Sequence, residues 1–130
     1  MAHHIAKQVH DKFKIFTGEL AADGTIGKLA DEVAAFAKKS KIAAKSIGVA
    51  YLEGDKRLIL TLGYRDDEDS YPIKLQCMRL GKIDAKGHDF HALEAAMAKA
   101  SGKYSNIICH ELYVTGTHDF TMVLMTHEAN

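Results

Sequence analysis

The chain has 130 residues, 47% apolar and 26% charged, a composition ordinary for a globular domain and sufficient for a core without disulfide or metal staples. Lys+Arg and Asp+Glu both number 17, so there is no basic footprint for nucleic acid. No run of about 18 apolar residues occurs and MAHHIAKQVHDK lacks an apolar signal segment; no membrane partner is expected, and the cytoplasm is the expected compartment.

Residues 1–11 read as a polar, irregular arm. Phe13, Ile15 and Thr17 alternate with Lys14, Phe16 and Gly18, predicting a strand near 12–20. Asp23-Gly24-Thr25 marks a turn and a helix start. Ile26, Leu29, Val33, Phe36 and Ala37 then recur at helical spacing over about 25–41. Strands follow near 46–52 and 56–64, joined at Glu53-Gly54-Asp55, with Leu58, Leu60 and Leu62 on one face. The acidic run Asp66-Asp67-Glu68-Asp69 precedes Pro72, the only proline. It reads as a connector, since it lacks the glycine and terminal Glu of a calcium loop.

Ile73, Leu75 and Cys77 alternate with Lys74, Gln76 and Met78 in a fourth strand reaching Ile83. Gly87 and Asp89 open a second helix with Asp89 as N-cap; its stripe is Phe90, Leu93, Met97 and Ala100, and Gly102 ends it. Asn106–His127 reads as a closing hairpin about Thr115-Gly116-Thr117. Cys77 and Cys109 lie in strands without a CxxC pattern, predicting two buried, reduced thiols.

The order β-α-β-β thus occurs twice, over 12–66 and 73–127, within one domain spanning 1–130. An offset of 62 positions lays Tyr113 on Tyr51, Gly116 on Gly54 and Leu124 on Leu62. The predicted fold class is α+β: two tandem ferredoxin-like β-α-β-β repeats forming antiparallel sheet with the helices on one face. Repeats this short need each other to bury their faces.

Val114-Thr115-Gly116-Thr117-His118-Asp119-Phe120-Thr121-Met122-Val123-Leu124 resembles the V-T-G-x-x-D-[YF]-x-x-x-[VL] hairpin of ligand-binding domains in leucine-responsive regulators. Those belong to the dimeric α+β-barrel superfamily, which also holds cofactor-free monooxygenases, lactone isomerases and haem-linked enzymes. The likeness covers about twenty residues. It implies a barrel-like fold, and no catalytic residue is carried over. Two departures matter: no helix-turn-helix segment is present, and the motif's unit occurs twice in one chain.

Alternation predicts that Lys14, Tyr51, Arg57, Lys74, Glu111 and Tyr113 lie on the sheet face away from the helices, where a cavity would bind a small molecule. Tyrosines would wall it and lysines would hold an anionic group. The bland counterpart is a partly solvated sheet with snorkelling lysines. His88 and His91 are three apart at a helix start, a spacing that suits one metal, but they have no third ligand nearby. His110 and Glu111 point to opposite faces, whereas His118 and Glu111 would meet for acid–base chemistry only if register allowed. Cys109 has neither a base nor a helix N-terminus beside it. The expected function is a homodimeric small-molecule-binding or sensor-like protein without cofactor or metal. A cofactor-independent oxygenase or isomerase, or a structural assembly module, are the alternatives.

Overall fold

The computed structural model describes residues 10–21, 24–84 and 90–128. Most of the expected arm, the turn at Asp23, the Asp89 cap and the His88 half of the histidine pair lie outside those residues. Eight elements follow in order: β1 (Lys12–Glu19), α1 (Gly27–Ser40), β2 (Ala43–Leu52), β3 (Arg57–Arg65), β4 (Ile73–Lys82), α2 (His91–Ser101), β5 (Ile107–Thr115) and β6 (Asp119–His127). The protein is α+β, with every predicted element present. Each half forms its own antiparallel three-stranded sheet, ordered β1-β3-β2 and β4-β6-β5. The expected antiparallel sheet with helices on one face takes the form of two three-stranded sheets.

In the first sheet Leu58, Leu60 and Leu62 pair with Gly18, Phe16 and Lys14 on one side and with Tyr51, Val49 and Ile47 on the other. Directly opposed residues share a face, and this is the face that α1 covers. The apolar stripe of α1 supplies the contact: Leu29 and Val33 are buried, and the Phe36 ring meets Phe16 edge-on at 5.7 Å. Lys41 ends the helix in a left-handed conformation at φ 52°; Gly is the usual residue for that role. In the second sheet Phe120, Met122 and Leu124 form the corresponding face, paired with Gly81, Met78 and Gln76, and α2 covers it with Leu93 and Met97.

The second sheet is buried on its other face too. Val123 and Met125 alternate with Met122 and Leu124, and all four are at most 1% exposed. One core cluster joins Leu29, Val33, Leu58, Leu60 and Leu62 to Ile73, Leu75, Tyr113, Val123 and Met125. Helix α1 thus packs on β1 of its own sheet and on β4 of the other, while β2 runs beside β5. The layers are sheet, α1, sheet, α2. This differs from a core placed under both helices together, because the back of one sheet serves as the second wall of α1. The near-continuous apolar run of β6 is the sequence counterpart of burial on both faces.

Beyond Arg65 the acidic connector is neutralised locally. Arg65 donates to both carboxylate oxygens of Asp67, at 2.8 and 2.7 Å, and Glu68 takes Lys45 at 2.8 Å and Arg65 at 3.1 Å. Adjacent acids would otherwise repel one another; here the partners of Asp67 and Glu68 hold the turn between the two sheets.

Candidate functional site

Strand register decides where the six predicted residues point. Lys14 pairs with Leu62, which puts it on the α1 side of its sheet; its ammonium lies 5.7 Å from the Phe36 ring centroid. Tyr51 pairs with Leu58, again on the α1 side and half-buried. Lys74 pairs with Thr126 on the α2 side of the second sheet, exposed. The expectation that these three face away from the helices is corrected. Arg57, Glu111 and Tyr113 do lie on the faces away from their own helices: Arg57 on the outer face of the first sheet, the other two on the second-sheet face away from α2. Tyr113 and Tyr51 face the layer between the sheets, with Lys14 at the exposed β1 edge of the same layer. The Glu111 carboxylate reaches Gly48 on the outer face of the first sheet, and Arg57 and Lys74 are elsewhere.

One residue of turn length explains Tyr51. Four residues, Glu53 to Lys56, link β2 to β3, but only Gly116, Thr117 and His118 link β5 to β6. Leu58 then faces Tyr51 while Phe120 faces Val114. Matching by register lays Tyr51 on Val114, a shift of one from the alignment by sequence, and a shift of one exchanges the faces. Lys14 likewise corresponds to Gln76, since Leu62 and Leu124 are their partners, and not to Lys74.

Tyr113 is 5% exposed, and its hydroxyl donates to the Gly24 carbonyl at 2.7 Å. That ties β5 to the loop before α1 and gives the ring a structural role. Beside it, Oε1 of Glu111 lies 3.9 Å from where a Cβ would stand on Gly48, so the carboxylate sits along the β2–β5 seam. His118 is in the hairpin turn, and Glu111 pairs with Val123, four rungs away from it. Register therefore does not permit the His118–Glu111 pair. Burial pushes the Cys109 thiol up to about 11, partly offset by a hydrogen bond with the Ile47 backbone. A thiol protonated at neutral pH is a poor nucleophile. Neither cysteine is in a disulfide, and among the described residues no cluster of three His, Cys, Asp or Glu is placed to hold a metal.

Three grooves stand out, none of them lined by the six residues. One of about 480 Å³ lies between the C-terminal half of α1 and the start of β4, bounded by Lys38, Tyr71 and Glu128. There the Tyr71 ring stacks on His127 at 4.9 Å and its hydroxyl donates to the Ala44 carbonyl; burial raises its pKa. A second groove, about 190 Å³, runs beside α2 over β5 and β6. Its walls are Met97, Ala98, Ser101, Ile107, His110, Met122 and Leu124, so it is mostly apolar. The third, about 590 Å³, is on the β4 side of α2, with Arg79, Lys99 and Lys103. Arg79 there is engaged by Asp119 at 2.6 Å, which lowers the pKa of that carboxyl.

The most unusual surface is the outer face of the first sheet. Phe13 and Ile15 are 67% and 63% exposed, opposite Gly63 and Thr61. Leu52 lies on the same face, among Gly48, Ala50 and Ile59. The only signal in the sequence was that Phe13 and Ile15 alternate with a second set, Phe16 and Gly18, which is also able to face a core. No helix of the described residues is long and apolar enough to cross a membrane. Comparison with known protein families, with curated proteins and with solved structures finds no match to this chain.

Proposed function

We propose that this protein is an assembly module: its work is to associate with further copies of itself through the outer face of the first sheet. There His10 covers Gly63 and Ser46 beside Phe13 but leaves Phe13 and Ile15 exposed. The observation that carries this reading is the exposure of Phe13 and Ile15 together with Leu52 on one sheet face. An antiparallel sheet with one solvated face ordinarily alternates apolar-in and polar-out, and contiguous exposed apolar surface marks an interaction site. Two further features support the building-block reading, in which the halves are copies of one β-α-β-β unit. Strand order is the same in both, and the bulges at Lys45 in β2 and Ile108 in β5 fall at corresponding places.

Sedimentation velocity tests it. The chain should sediment above the mass of one 14.3 kDa protomer in the micromolar range, and Phe13→Lys should return it to that mass. A chain that stays at one protomer across that range, with a polarity-sensitive dye at Ile15→Cys unmoved by concentration, overturns the reading. A second reading, binding of a small molecule, is favoured by the groove beside Lys38, Tyr71 and Glu128. That groove joins an aromatic wall to one charge of each sign, and a ligand there would lie away from Lys14 and Lys74.

A further inference from the structure

Six large apolar side chains are exposed among the described residues, and they fall into two groups of three. Phe13, Ile15 and Leu52 are on the outer face of the first sheet; Phe90, Ile107 and Val114 are on the α2 side of the second. Of the second group, Ile107 lines the apolar groove walled by α2 and β5. These are the two surfaces left over when the units of this chain are stacked.

Inside the molecule the stacking follows one rule. The face of the second sheet away from α2 closes over α1 and over the α1 side of β2. Register gives Phe13 and Ile107, and helix position gives Phe90, buried counterparts in that internal interface; Ile15 and Val114 correspond to the half-buried Cys77 and Tyr51. Phe13, opposite Gly63, corresponds to Leu75, opposite Met125; Ile107, opposite Thr126, corresponds to Ala44, opposite Tyr64. Phe90 precedes α2 as Ile26 precedes α1. Leu75, Ala44 and Ile26 are 5%, 0% and 2% exposed. What is covered inside the chain is bare at its two ends, and the bare surfaces are the two halves of the same contact.

We infer that a second copy of this chain docks head to tail, its first-sheet outer face closing over α2 and the β5 groove as the second sheet closes over α1. The inference rests on the assembly reading above and adds which surfaces meet. Continuity with the internal interface also aligns the seam. Cys109 reaches the Ile47 backbone inside the chain; the corresponding intermolecular neighbours are Ser46 of one copy and the His110 backbone of the next. Phe13 and Ile15 enter the groove beside Ala98 and Ser101, in the place that their counterparts Leu75 and Cys77 take on β4, the strand that packs on α1. Two different patches meet, so the contact is heterologous: it propagates until a ring closes or a filament grows.

Complementation between blocked copies distinguishes this from a symmetric contact. Phe13→Lys blocks the first surface and Ile107→Lys the second, and both sites are exposed, so the fold of each copy should survive; circular dichroism and melting check that. Ile15→Gln and Val114→Gln serve as milder versions should either lysine variant unfold. Alone, each variant should associate on the order of 100-fold more weakly, the loss expected when a charge replaces a central apolar contact. Mixed in equal amounts, they should form a two-chain complex and nothing larger, because one competent surface of each kind remains. If the unsubstituted chain assembles but the mixture stays at one protomer, or Ile107→Lys assembles as well as the parent, head-to-tail docking is overturned while the assembly reading stands; if Phe13→Lys assembles as well as the parent, both fall. If the unsubstituted chain does not assemble, both fall.

Discussion

Replacing Met125 by Ala tests the layering most directly. The side chain is 0% exposed and sits on β6 opposite Leu75 and Cys109, on the face that a lone β-α-β-β unit would leave open. Burying a methionine contributes roughly 1.5–3 kcal/mol by transfer. The cavity left behind brings Met→Ala in packed cores to about 2–5 kcal/mol. Met125 lies in the layer that α1 fills, and a site held by two sheets collapses poorly, so about 3 kcal/mol is expected, within the range for packed cores. Urea unfolding at one protein concentration reads it, with the denaturant slope unchanged. Ile15→Ala on the open face, in the blocked monomeric background, should cost no more than about 0.5 kcal/mol. A loss below about 1 kcal/mol at Met125, with Leu60→Ala showing a normal core penalty, would mean that the second sheet does not close over α1.

Three other outcomes follow from particular contacts. Tyr113→Phe removes the hydroxyl that binds the Gly24 carbonyl and should cost about 0.5–1.5 kcal/mol in the same assay, an upper value if the carbonyl is left unpaired. Gly48→Ala would bring a Cβ to 2.7 Å from Oγ1 of Thr61; because threonine is stiff at χ1, it should destabilise by roughly 1–3 kcal/mol, and a double-mutant cycle with Thr61→Ala should recover part of that. Cys109, with its folded pKa raised to about 11, should react slowly with a disulfide reagent at about pH 8 and faster as pH climbs. The sign for stability follows from the raised value: the neutral thiol is favoured in the fold, so its contribution is complete below the unfolded pKa of about 8.5 and is lost as pH rises toward 11. Cys109→Ala should flatten that alkaline decline, and an unchanged alkaline limb refutes the assignment.

The elements were legible in the sequence because each has a strong local period, as with Leu29, Val33 and Phe36 in α1 and Leu58, Leu60 and Leu62 in β3. Facing was less so. Tyr51 and Tyr113 coincide in sequence, but the turns beside them contain four and three residues, and no local signal counts rungs from a turn. Period says that Phe13 and Ile15 share a face; it does not say which layer that face meets. Lys14 illustrates the cost. Alternation alone sets it opposite the helix, whereas the register puts it on the helix side and leaves its neighbours Phe13 and Ile15 bare. The run Phe120–Met125 did carry the missing information, since a strand apolar on both sides needs two covers, and the second cover turned out to be α1 with the first sheet.

In both sheets the central strand is the last one in sequence, β3 between β1 and β2 and β6 between β4 and β5. During synthesis, then, β4 and β5 leave the ribosome with no partner between them, and α1 keeps one apolar side uncovered. Both conditions persist until residues through His127 have emerged. A nascent chain stalled before β6 would present strand edges and a bare helix face at once, the pairing of features on which chaperones act, and the step that removes them is the insertion of a single strand.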